Sequence, residues 1–112
     1  FNIFSLGDCL GTRDRKKLWL AFAEALHYGI EPEEIFWQFS RAVKNMLLVK
    51  KSSDLESLGL HPFVLSKTKK FSQNFSADEL SEFSNKLVNI FYEVRNGQRE
   101  MAIALERLVM EI

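Results

Sequence analysis

Apolar residues along this chain recur at three- and four-residue steps, the spacing that lines one face of an α-helix. Leu18, Ala21, Phe22, Ala25 and Leu26 form one such stripe, and Ile35, Phe36, Phe39, Ala42, Val43, Met46 and Leu47 form a longer one. Leu80, Phe83, Leu87, Ile90, Phe91 and Val94 make a third, and Met101, Ala102, Leu105, Leu108, Val109 and Ile112 a fourth. Ahead of them, residues 2–10 read as a short helix with Ile3, Phe4 and Leu6 turned inward. No stretch alternates with period two for long enough to make a strand. The pattern therefore predicts an all-α fold, a compact bundle of five to six helices whose short connections make sequential helices antiparallel.

The punctuation between the stripes agrees with them. Thr12 follows Gly11 and is a plausible N-cap for the first long helix, and Gly29 supplies the left-handed residue that ends it. Pro32 suits the first turn of the next helix, with Glu31, Glu33 and Glu34 at the positive end of its dipole and Lys50 and Lys51 at the negative end. Ser52 and Ser53 break the pattern, residues 54–58 fit a short helical turn, and His61-Pro62 opens a helix running to about Asn74. Ser76-Ala77-Asp78-Glu79 is the sharpest local signal, a capping box in which serine and glutamate satisfy each other's free N–H groups. Gly97 closes the helix that follows, and Asn96-Gly97 is read as that helix end rather than a hairpin turn.

Composition narrows the class. The chain has 112 residues, the size of one domain, and its hydrophobic content of 46% is that of a globular protein. Fifteen basic and fifteen acidic residues cancel, so there is no overall pull toward nucleic acid or an anionic membrane. The longest apolar run, residues 18–23, is far short of the ~20 residues that span a bilayer. A single cysteine, Cys9, excludes an internal disulfide and, with no signal peptide visible, favours a reducing cytoplasm. There the acceptor pattern Asn74-Phe75-Ser76 has no glycosylation to receive. The chain begins at Phe1 and ends within a helical pattern, and so reads as a single domain, 1–112, from the C-terminal part of a longer subunit.

Candidate chemistry is sparse. Phosphate-binding glycine loops, a nucleophile elbow, C-x-x-C and H-E-x-x-H are all missing, and no catalytic, cofactor-binding or metal residue is assigned. His27 lies at a helix end and His61 in a capping position, both structural places, and Cys9 lies on an amphipathic helix as a small apolar residue does. Gly7-x-x-x-Gly11 reads as close packing and a helix end rather than a membrane motif. What remains is surface. Trp37 projects with Arg41 and Lys44 away from Phe36 and Phe39, and Ile103 and Met110 share a helix face with Arg107, opposite Leu105 and Ile112. Tryptophan, methionine and arginine are enriched at protein interfaces, so these six are the candidate interface. Three basic clusters offer an alternative, a helical nucleic-acid-binding module: Arg13, Arg15, Lys16 and Lys17; Arg41, Lys44, Lys50 and Lys51; Lys67, Lys69 and Lys70.

The order of these signals is familiar. Asn2-Ile3-Phe4-Ser5-Leu6-Gly7-Asp8 is followed by Gly11-Thr12-Arg13-Asp14, by Gly29-Ile30-Glu31-Pro32 leading to Ile35, and by a helix ending Leu47-Leu48-Val49-Lys50. Gly59-Leu60-His61-Pro62-Phe63-Val64, Arg95-Asn96-Gly97 and Ala104-Leu105-Glu106-Arg107-Leu108 complete the series. Over essentially its whole length the chain resembles the C-terminal domain of the delta subunit of the bacterial DNA polymerase III clamp loader. It departs where the family often has an acidic residue one turn before a Lys-x-Gly, since Phe91 and Arg95 occupy those places, and residues 52–58 are short. The resemblance implies a helical collar domain packing beside equivalent domains of the ATPase subunits and the delta-prime subunit, with DNA touched only indirectly through the assembled loader. It implies no membrane, no small-molecule substrate, no cofactor and no ATP hydrolysis by this subunit, within a holoenzyme that is a DNA-directed DNA polymerase.

Overall fold

Each helix begins where a local group can satisfy its first N–H groups. The computed structural model describes residues 1–112 and contains six α-helices and no strand: α1 (Ser5–Gly11), α2 (Arg15–His27), α3 (Pro32–Lys51), α4 (Pro62–Ser72), α5 (Ala77–Arg95) and α6 (Met101–Met110). A 3₁₀ turn, Glu56–Leu58, lies between α3 and α4. The capping box forms as read: the Glu79 amide donates to Ser76 Oγ at 3.0 Å and the Ser76 amide to Glu79 Oε1 at 2.9 Å. Pro32 and Pro62 both occupy first-turn positions, and His61 Nδ1 accepts from the Phe63 amide at 3.1 Å.

Three local expectations are corrected. The N-cap of α2 is Asp14, which accepts from the Lys17 amide at 3.1 Å, whereas the Thr12 hydroxyl donates back to the Cys9 carbonyl at 2.8 Å and closes α1. The second correction concerns α1, which starts only at Ser5. Its inward face is Leu6, Cys9 and Leu10, and Phe4, just ahead of the helix, is 67% exposed. The fourth helix also ends two residues early, at Ser72.

Helix α3 is the axis of the bundle. It packs against α1, α4, α5 and α6, and more lightly against α2. Ile35, Phe36, Phe39, Val43 and Met46 are buried along it, meeting Leu6 and Leu10 from α1, Leu80, Leu87 and Ile90 from α5, and the buried side of α6 in one continuous core. Ala104 is wholly buried in that core although it falls outside the stripe read for α6. Contacts fix the directions. Trp37 meets Phe91 (ring centroids 5.9 Å apart) while Lys44 shares a groove with Ser84, so α3 and α5 are antiparallel. Arg15, at the start of α2, donates to the Met110 carbonyl at the end of α6 at 3.1 Å. The α1–α4 pair, distant in sequence, runs parallel, with Asp8 opposite Lys67 and Gly11 opposite Phe71. Helices α4 and α5 pack on α3 rather than on each other.

Both glycines of α1 serve close approach. A β-carbon on Gly7 would sit 3.5 Å from Ala42 Cβ, an ordinary contact. One on Gly11 would come within 2.5 Å of Phe71 Cγ and Cδ2, at the root of the ring where the side chain has least freedom to move. Beside this contact the α1–α2 and α4–α5 turns are tied together. Arg13, in a left-handed conformation (φ 56°), pairs through both terminal guanidinium nitrogens with the Glu79 carboxylate, donates to the Asn74 carbonyl at 2.6 Å and lies 4.8 Å over the Phe75 ring. The Asn74 amide in turn donates to the Gly11 carbonyl at 2.7 Å. The Arg13 hydrogen bond and then that of the Ser76 amide hold the Glu79 carboxyl down at a pKa of about 2.

Gly7→Ala gains helix propensity without a clash and is expected to leave the fold as stable or more stable by up to ~1 kcal/mol. Gly11→Ala is expected to cost about 1–3 kcal/mol through overpacking. Urea denaturation of the two variants side by side checks both signs. A carboxylate whose pKa is lowered on folding adds stability above its unfolded value and loses that contribution as pH falls toward the folded one. The stability gap between the parent chain and Glu79→Gln is therefore expected to be constant from neutral pH down to about 4.5. It should close between there and about 2, as read by denaturation midpoints across that range.

Candidate functional site

No group of three His, Cys, Asp or Glu side chains converges as a metal site would require, and no helix is long and apolar enough to cross a membrane. Burial pushes the Cys9 thiol pKa up, which disfavours the thiolate a nucleophile needs. His61 is engaged as a helix cap, and exposed His27 stands edge-on to Tyr28 with ring centroids 5.8 Å apart. The Asn74 side chain is engaged by the Gly11 carbonyl. The features left for function are surfaces, and they follow from how α3, α5 and α6 are packed.

Because α3 and α5 lie side by side with large residues at the seam, their outer faces leave a groove of about 370 Å³. Trp37, Ser40 and Lys44 form its α3 edge and Ser84, Val88 and Tyr92 its α5 edge, over a floor of Phe36, Leu87 and Phe91. The aromatic end is a connected cluster: Phe36 and Trp37 meet edge to face at 5.0 Å, Trp37 and Phe91 at 5.9 Å, and Phe91 and Tyr92 edge to face at 5.5 Å. Trp37 and Tyr92 nevertheless stay 52% and 59% exposed, and Val88 49%. Lys44 is the sole charged residue lining the groove and forms no ion pair within the chain. Arg95 sits 6.0 Å over the Phe91 ring beyond the aromatic end.

The six residues proposed from sequence do not make one patch. Trp37 and Lys44 share the α3–α5 groove, whereas Arg41 turns to the other side of α3. There it lines a cleft of about 150 Å³ with Gln38 and Asn45, over Gly7 and Gly11. Ile103, Arg107 and Met110 are all exposed on the outer face of α6. Arg107 also lines a polar groove between α5 and α6, beside Lys86, Glu93, Arg99 and Glu111. The neighbours there are matched, Arg99 with Glu93 at 3.1 Å and Lys86 with Glu111 at 2.9 Å, which raises the Lys86 pKa; Arg107 has no such partner. Val88 and Tyr92 were not among the candidates. Their four-residue spacing off the α5 stripe is the signal that identifies them.

The basic clusters are partly spent inside the fold. Arg13 is committed to Glu79, and Lys67 to Asp8 at 3.0 Å, with the Lys67 ammonium also 5.1 Å from the centre of the Phe63 ring. Phosphate binding would have to compete with those contacts. The family profile described as DNA polymerase III delta subunit, C-terminal domain, matches residues 1–112. No curated protein and no solved structure matches the chain. A match that runs from the first helix through the last, onto an all-helical bundle whose notable features are exposed faces, places the chain in that family: it belongs to the C-terminal domains of the DNA polymerase III delta subunit, a clamp-loader component of DNA replication.

Proposed function

We propose that this domain is a non-catalytic assembly module. It packs against the equivalent helical domains of the other loader subunits, the ATPase subunits and delta-prime, so that the sliding clamp can be loaded on DNA. The observation that carries this reading is the family match over all 112 residues. Exposed aromatic and aliphatic side chains on the outer faces of α3, α5 and α6 support it, because large apolar residues held in water on a well-packed domain are the usual mark of a contact surface. Trp37, Arg41, Lys44, Ile103, Arg107 and Met110 are the contact residues of this reading. Their distribution over more than one face suits a domain with a neighbour on each side. DNA is reached only through the assembled loader, and the site of action is the cytoplasm.

The intact subunit carrying this domain is expected to co-elute with its loader partners on a sizing column, and removal of residues 1–112 to abolish co-elution. Raising salt from about 50 to about 200 mM should leave assembly nearly unchanged, whereas a protein held by 6–10 phosphate contacts would lose roughly 10³–10⁵ in affinity over that range. A folded subunit that elutes alone, or that binds duplex or single-stranded DNA by itself in this salt-sensitive way, would overturn the reading.

A further inference from the structure

Of the exposed faces, the α3–α5 groove is the one whose chemistry specifies an occupant. It is apolar and aromatic at one end, where Trp37 and Tyr92 flank Phe91, and basic at the other, where Lys44 is unpaired. No carboxylate lines it; Glu33 stands a turn beyond Trp37, outside the groove, and Glu93, next to Tyr92 in sequence, pairs with Arg99. Trp37 and Lys44 are seven residues apart on one helix, two turns or about 10 Å along its axis. A furrow between two adjacent helices is the shape into which a third helix sets a ridge of side chains.

Resting on the assembly reading above, we propose that the α3–α5 groove docks an amphipathic helix of a neighbouring loader subunit. That helix places a bulky apolar residue against Trp37, Phe91 and Tyr92 and a carboxylate, one to two turns along, on Lys44. Trp37 and Tyr92 are the anchors of this contact, since rigid aromatic side chains in a preformed furrow bring large contact area at little entropic cost. Lys44 fixes the direction in which the partner helix lies, because the reversed orientation would leave the carboxylate over the aromatic end and the ammonium without a partner. A second copy docked groove against groove is not the occupant. An isologous contact would set Lys44-bearing grooves against each other without a carboxylate between them.

The test uses the intact subunit mixed with its purified loader partners, with affinity read by analytical ultracentrifugation and groove exposure by hydrogen exchange. Lys44→Glu and Trp37→Ala are each expected to weaken assembly tenfold or more. Lys44→Arg should assemble as the parent does, and amides around Ser84, Val88 and Tyr92 should become protected on assembly. Lys44 is exposed and lies outside the buried core, so its reversal tests the groove even if Trp37→Ala perturbs folding. Parent subunit that assembles while Lys44→Glu and Trp37→Ala assemble equally well would overturn the groove and leave the assembly reading standing. Parent subunit that fails to assemble removes both. Concentration-dependent self-association that protects the same amides and is lost in Trp37→Ala would show a second copy in the groove and overturn the proposal.

Discussion

Helix α3 has to remove Ile35, Phe36, Phe39, Val43 and Met46 from water along a rod of 20 residues, and no single neighbour does so. Helices α1, α4, α5 and α6 divide the task. Several features follow from that division. The seven-residue α1 contributes by approaching two neighbours closely, with Gly7 facing Ala42 of α3 and Gly11 meeting Phe71 of α4, where a β-carbon would clash. Helices α4 and α5 lie on α3 and not on one another, so the turn between them is free to fasten the far end of α1. The outer faces of α3 and α5 are left uncovered along their seam, and there the aromatic groove opens.

How much of this was legible depends on the range of the interaction responsible. The capping box at Ser76 and the proline starts at Pro32 and Pro62 are satisfied within four residues, and the sequence displays them whole. The start of α2 was ambiguous at the same range, because Thr12 and Asp14 are both competent caps two residues apart. The left-handed Arg13 between them decides in favour of Asp14. Phe4 looked inward because the helix was begun too early, and a helix begun at Ser5 takes its inward face from Leu6. Nothing in the local pattern could reveal that Arg13 meets a residue 66 positions away, or that Arg41 and Trp37, one turn apart, face different grooves.

The same distinction runs through the surface. Exposure of Trp37, Ile103 and Met110 was readable as a departure from the buried stripes, since a stripe predicts what should be hidden. Which exposed residues share a groove was not readable, because it depends on the angle and register between α3 and α5. Charge patterning misled in a related way. The Lys67, Lys69 and Lys70 run has no acidic residue near it in sequence, yet Lys67 finds Asp8 across the parallel α1–α4 pair. Part of the charge balance is thus made by distant pairs, and Lys44 and Arg107 are among the basic residues left without an ion pair.

Glu79 serves two partners that become available at different moments of folding. Its bond from the Ser76 amide spans three residues and can form with the first turn of α5 alone. Its pairing with Arg13 closes a loop of more than sixty residues, whose entropy loss is offset only after α3 has drawn α1 and α5 together. One carboxylate therefore first nucleates a helix and later seals the bundle. The order in which these two events occur is set by sequence separation, independent of how strong either bond is in the finished domain.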